Sequence, residues 1–302
     1  MSRIGWCLAF LSSIVAEPAF AWGNQGHMAT GLITYDLLAA RDPTAIAAVD
    51  ALMANHPDRA RFDKALAGLE GPARQRRLFA LIARWPDDMR ATRYNHTHWH
   101  HELRVVAGWT AFRGPRLGEA DHAALSSMAL LRDTKADPGR RAIALCWLLH
   151  VVGDMHQPLH AGHLMNGRFP FTDLAGTLGW VRPATGAAPE KLHHFWDTAA
   201  DRPGDELAGA EALALAIERD PPRDTAGTGD FKADYAGWVR ESEQLAATTA
   251  YRGAALGESH RPQDAPVLPP DYVADARALS ERRLGQAAER LTDLLAALFP
   301  AA

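Results

Sequence analysis

His150 and Asp154 stand four residues apart in WLLHVVGDMHQPLH (147–160), and His160 follows six positions later. In a helix, positions i and i+4 project from one face. An imidazole and a carboxylate therefore converge inside an otherwise apolar helix, and burying them requires a partner or a metal ion. His193 and Asp197 repeat the spacing in LHHFWD. Zinc takes His nitrogen and carboxylate oxygen, usually four ligands in a tetrahedron. Fourteen histidines are available, and the candidates cluster in short motifs. These are WGNQGH with Trp22 and His27, WPDDMR with Asp87 and Arg90, HTHWHHE with His96, His98, His100 and His101, and the two HxxxD pairs. A lone HxxxD pair is ordinarily a solvated salt bridge. Two of them beside the other motifs point to a polynuclear zinc site. Zinc lowers the pKa of bound water towards ~7, which suits hydrolysis.

The elements that must position these groups read as helices. Ala and Leu recur at helical spacing while strand-like alternation is scarce, which predicts a single all-α domain. Helices are predicted over about 26–38, 44–55, 73–84, 119–131, 140–152, 191–200, 205–219, 230–252 and 271–298. Pro86 is expected to end the third, because the residue before proline is pushed out of the helical region. Residues 94–102 read as a His-rich extended or loop segment. Residues 161–189, rich in Gly and Pro, read as a long loop, and such loops are often functional. Val273, Ala276, Leu279, Leu284, Ala288, Leu291, Leu295 and Leu298 form an apolar stripe that predicts core packing for the last helix.

Residues 1–21 have the three regions of a signal peptide: Arg3, the apolar run Ile4 to Ala16, and Ala19-Phe20-Ala21 before Trp22. Residues 22–302 are thus expected as the exported domain, secreted or periplasmic, after cleavage between Ala21 and Trp22. No later stretch reaches the ~18 apolar residues of a membrane span. The formal net charge is −4 and no broadly basic surface is evident, which argues against duplex binding by charge alone. Cys7 leaves with the signal segment and Cys146 stays, so no internal disulfide is expected. Cys146 reads as a buried inert thiol. A metal cluster could tie such a chain together instead.

The order of these motifs resembles the zinc-dependent, single-strand-specific nucleases of the S1/P1 type. The likeness runs from Trp22 to the C-terminus. GDMHQPLH (153–160) is its strongest element and AAERL (287–291) a weaker echo. It implies an all-α fold with three Zn²⁺ ions at the bottom of a cleft. One zinc would take Trp22, through its amino group and carbonyl, with His27 and Asp154. The second would take Asp87, His100, His150 and the bridging Asp154, and the third His160, His193 and Asp197. The residues alone leave His98 and His100 open. The resemblance selects His100, preceded by Trp99. Three zinc ions, three aspartates and one hydroxide would leave a local charge of about +2, attractive to phosphate in an acidic protein.

The implied activity is endonuclease hydrolysis of single-stranded DNA and RNA to 5′-phosphorylated products, with 3′-nucleotidase action on nucleotides as an extension. Asp154 and Arg90 are the expected catalytic residues, Arg90 stabilising charge on the phosphate. A surface salt bridge is the alternative for Arg90. The family's aromatic residue after the zinc-binding histidine is His101 here, still able to stack a base. The 161–189 loop reads AGHLMNG where the family has Gly-Gly-Asn. Asn166, His163, Phe169, Phe171 and Trp180 could line the cleft, or the rings could anchor the loop to the core. His156 is expected to be structural or to support a ligand, and His56, His122 and His260 to be surface residues. No stable protein partner is implied, and a monomer is expected.

Two other readings compete. Bacterial zinc phospholipase C shares the N-terminal Trp and the central HxxxDxxxxxH, but places a glutamate four after the last histidine where this chain has Asp197. A purely structural zinc cluster would need no Arg90, and would be closed where catalytic sites keep an open position.

Overall fold

Helix α1 (Asn24–Arg41) buries every residue from Gly26 to Tyr35, the signature of a helix surrounded by others rather than laid on a surface. It packs on α4 (Gly71–Asp88), α8 (Glu206–Arg219) and α10 (Pro270–Leu298). Gly31 permits the first contact, since a Cβ there would come within 2.4 Å of the Phe79 carbonyl oxygen. Helix α6 (Pro138–Asp154) is equally enclosed, with every residue from Ala144 to Asp154 buried. Asp137 caps it by accepting from the Arg140 amide at 2.9 Å, and Pro138 starts its first turn. It packs between α5 (Ala120–Arg132) and α4. Helices α2 (Pro43–Met53), α3 (Arg59–Ala65), α7 (Leu192–Thr198) and α9 (Phe231–Leu245) complete the set among the described residues. This computed structural model describes residues 22–112, 116–222 and 227–300. The expected signal segment, 1–21, lies outside them. The all-α expectation holds, and none of these helices is long and apolar enough to cross a membrane.

The departures from the sequence reading are local. Pro86 lies inside α4, which runs on to Asp88. A proline in the last turn removes one backbone hydrogen bond but meets little helix beyond it, so the disruption stays small. The 94–102 segment contains a 3₁₀ turn, Thr97–His100. Strand β1 (Glu102–Gly108) begins two residues later. Its partners are β2 (Leu117–Gly118), antiparallel, and β3 (Gly162–Met165), parallel. The 161–189 loop therefore opens with a strand, and a two-stranded ribbon of β4 (Trp180–Val181) and β5 (Glu190–Lys191) closes it. The helix expected over 230–252 ends as α9 at Leu245 and passes through a π turn, Ala246–Ala250.

Three apolar clusters make up the core. Val151, Val152 and Met155 belong to one, with α4 and α5 residues. Leu159, Leu192, Phe195 and Trp196 belong to a second, beneath β1 and β3. Trp22, Met28 and Ala29 belong to a third, with Leu213 and Leu284. The histidines and aspartates singled out above alternate along the chain with members of all three. The polar centre thus sits where the three clusters meet.

Candidate metal centre

Each element presents its candidate ligand at an end or a turn. His27 stands in the first turn of α1, Asp87 in the last turn of α4, and His100 ends the 3₁₀ turn before β1. His150 and Asp154 occupy the last two turns of α6. His160 ends a second 3₁₀ turn, Pro158–His160, directly before β3. His193 and Asp197 are one turn apart on the short α7. The parallel strands β1 and β3 thus start side by side from His100 and His160.

These side chains converge. Asp154 Oδ1 is 3.2 Å from His27 Nε2, while its Oδ2 is 3.1 Å from His100 Nδ1 and 3.3 Å from His150 Nε2. Asp87 Oδ1 is 3.9 Å from His100 Nδ1 and 3.8 Å from His150 Nε2, and its Oδ2 is 4.0 Å from His27 Nε2. His193 Nε2 is 3.5 Å from Asp197 Oδ2, and His160 Nε2 3.9 Å from Asp197 Oδ1. Ligand atoms about 2.0–2.1 Å from a tetrahedral zinc would lie roughly 3.3 Å apart. Three groups meet the spacing a metal requires: His27, Asp87 and His150; His100, His150 and Asp154; His160, His193 and Asp197. Asp154 faces the first two with different oxygens.

The backbone fixes which ring nitrogens face inward. His150 Nδ1 is 2.8 Å from the Ala83 carbonyl, His160 Nδ1 2.5 Å from that of His100, and His193 Nδ1 2.7 Å from that of Ala175. A carbonyl can only accept, so each Nδ1 carries the proton and each Nε2 turns its lone pair to the centre, the tautomer a metal needs.

Several inward atoms have no hydrogen-bond partner although buried: His27 Nε2, Asp154 Oδ1, His160 Nε2 and Asp197 Oδ2. Burial holds the carboxyls of Asp154 and Asp197 well above the ordinary carboxylate value, with Asp87 adding to both. Burial also holds His27, His100 and His160 well below the usual imidazole value, and neighbouring cationic groups push the same way. Buried carboxylate oxygens and imidazole nitrogens that face one another at 3.2–3.9 Å without hydrogen bonds form a set of acceptors that a cation would satisfy. The residues fit metal ions.

Arg90 makes an i,i+3 salt bridge with Asp87, at the edge of the converging groups. It is not a free surface group: its side chain is 14% exposed and its NH2 donates to Asp87 Oδ1 at 2.5 Å. Trp22 is buried, with its indole N–H donating to the Gly153 carbonyl at 2.8 Å. The next amide, Gly23 N–H, donates to the Asp197 carbonyl at 2.9 Å, so the start of the described chain is tied to two ligand-bearing segments. His101 is half-buried beside His100, its ring 6.2 Å from His98. Burial, with the charges of His193, His98 and Arg90, pushes its pKa down to about 4. Asn166 is not among the converging groups. Its carbonyl oxygen accepts from the Arg168 and Phe169 amides at 2.8 and 2.9 Å, closing a turn after β3. His163 and Phe169 are buried, Phe171 is 84% exposed, and Lys191 sits 3.8 Å above the Trp180 ring.

His56, expected at the surface, is 2% exposed and packs edge-on against Phe62 and Trp85. A single sequence gives no sign of such a ring-lined niche. His122 and His260 are exposed. His156 is buried, its Nδ1 donating to the Val152 carbonyl and its Nε2 accepting from Arg290 at 2.8 Å. Sequence reasoning passed over Gln157, which is buried, donates from Nε2 to Asp197 Oδ1 at 2.8 Å, and accepts from the Leu159 amide. Its place inside GDMHQPLH, between Asp154 and His160, was the available signal.

The family model described as S1/P1 Nuclease matches residues 22–300. The chain belongs to this family. The S1/P1 nuclease family is metal-dependent, in keeping with the three His/Asp groups. This S1/P1 family chain is also similar to Endonuclease 4 of Arabidopsis thaliana, 30% identical over 173 residues, covering 52% of this chain and 50% of that protein. The chain thus spans about half the length of the curated relative it matches.

Proposed function

We propose that this S1/P1 family chain is an exported, zinc-dependent endonuclease that hydrolyses phosphodiester bonds of single-stranded DNA and RNA. Its products would carry 5′-phosphates, and the same centre would remove 3′-phosphates from nucleotides. The observation that carries this reading is the convergence of three His/Asp groups, the first two sharing His150, with Asp154 facing His27 through one oxygen and His100 and His150 through the other. Trp22, His27 and Asp154 would hold one Zn²⁺, Asp87, His100, His150 and Asp154 a second, and His160, His193 and Asp197 a third. Residues 22–302 form the working domain, freed by cleavage after Ala21, and act as a monomer in the periplasm or outside the cell. When bound, zinc supplies Lewis acidity towards phosphate oxygens and activates water for attack on phosphorus.

The chain's own groups do the remainder. Asp87 holds the Arg90 guanidinium at the edge of the ligand set through bonds to Nε and NH2 at 3.1 and 2.5 Å. Arg90 can there meet the charge that builds on a phosphate during attack. The carbonyls of Ala83, His100 and Ala175 keep three imidazoles unprotonated on their inner nitrogens. His101, half-buried beside His100, offers a ring on which a base could stack. Asn166 has its carbonyl engaged in the turn, so any contact with substrate would come from its amide nitrogen. A centre this enclosed admits a splayed nucleotide more readily than a stacked duplex.

Metal analysis of the processed protein, with assays on denatured DNA, duplex DNA and phosphatidylcholine, tests the reading. Three zinc ions and preferential cleavage of denatured DNA are expected. Activity on the lipid alone, or binding of polynucleotide without cleavage in the zinc-loaded protein, would overturn it. Two substitutive tests refine it. Arg90→Ala should retain all the zinc yet lose roughly 10²-fold in turnover, the scale of removing one pre-organised donor. A variant keeping one residue before Trp22 should lose the zinc held by its α-amino group, together with most activity. Unchanged metal content would reject that ligand.

A further inference from the structure

We infer that Asp173 is a positioning residue for His193, acting through a strained backbone arch that it clamps; the inference rests on the metal-centre reading above. Asp173 is 0% exposed. Its Oδ1 accepts from the Leu164 amide at 2.9 Å, and its Oδ2 accepts from the Gly176 amide at 2.8 Å and the Tyr251 hydroxyl at 2.7 Å. Its own amide donates to the Leu164 carbonyl at 3.1 Å. The carboxylate thus joins strand β3, which leaves from His160, to the arch 174–176.

The arch is left-handed at three successive residues, with φ of 50° at Leu174, 57° at Ala175 and 83° at Gly176. Residues with a Cβ disfavour that region, so the arch needs an external hold. Its product is two acceptors aimed at one residue. The Ala175 carbonyl takes the His193 Nδ1 proton at 2.7 Å, and the Gly176 carbonyl takes the His193 backbone amide at 3.4 Å. The approach is close enough that a Cβ on Gly176 would lie 3.0 Å from the His193 nitrogen. Asp173 and Tyr251 therefore set both the tautomer and the direction of the His193 ring without reaching the metal groups themselves. An asparagine cannot substitute, because its NH₂ would confront an N–H or O–H donor.

The test uses the full processed protein and the variants Tyr251→Phe, Asp173→Asn, and Asp173→Asn with Ala175→Gly. Zinc affinities are read by chelator competition, and amide exchange at Gly176 is read in the zinc-free state. The two single variants should weaken one zinc of three by 10–100-fold, the range for losing a group that orients a ligand. The other two zinc ions should keep their affinity, and Gly176 should exchange at least tenfold faster. Glycine at 175 relieves the strain, so the double variant should recover much of the lost affinity. Equal weakening of all three ions would mark a merely structural role and overturn the inference. So would faster Gly176 exchange with zinc affinity untouched, or a double variant no better than Asp173→Asn. Should the parent protein bind no zinc through His193, the metal reading fails, and that is seen before any variant is made.

Discussion

Asp154→Asn should release two metal ions and lower phosphodiester hydrolysis by roughly 10³-fold, the upper scale for losing one pre-organised charged group from a catalytic centre. The two oxygens of Asp154 face different histidine sets, His27 on one side and His100 with His150 on the other. An amide offers one oxygen, so it cannot serve both. Without zinc the sign reverses. Burial raises the folded-state pKa of Asp154. Such a group contributes stability below its unfolded value of about 4, lost as pH rises through the folded value. At pH 7 the zinc-free parent therefore bears a cost that the zinc-free variant lacks. The variant should melt higher than the parent without zinc, and lower than the parent with it. A variant that melts lower in both states would show that Asp154 is paired by something other than metal.

Stripping zinc from the parent at neutral pH should lower its melting temperature by about 10 °C. A ligand at a thousandfold excess over its Kd adds ~4 kcal/mol, and a chain of this size shifts a few degrees per kcal/mol. The loss should grow milder as pH falls, because protons compete with zinc. Asp154 and Asp197 must give up protons that burial makes them hold, while burial keeps His27, His100 and His160 neutral. Affinity should therefore fall with pH, and binding should release protons. Titration calorimetry in buffers of different ionisation enthalpy measures that release. A heat independent of buffer would contradict the arrangement.

What could be read in advance was what local spacing encodes. The i, i+4 pairs on α6 and α7 specify a shared face wherever the helix lies, and both pairs meet in the folded chain. The helices were legible for the same reason, and their ends moved by a few residues where Pro138 and Asp137 or Asp205 supply the cap. The strands were not legible. β1 is held by its parallel neighbour β3, more than fifty residues away in sequence, and nothing within ELRVVAG announces that partner. Asp173 was missed likewise, because its work depends on donors from Leu164, Gly176 and Tyr251. The surface placement of His56 failed because polarity was weighed without the rings of Phe62 and Trp85 that enclose it.

No ligand group is completed by neighbouring segments of chain. The first needs α1, α4 and α6, and the third needs the turn after α6 together with α7. Contacts between segments so distant in sequence form late in folding. A metal held as proposed would therefore find its ligands together only after the helices have assembled, unlike the metal of a small finger. It would act as a seal on a finished structure.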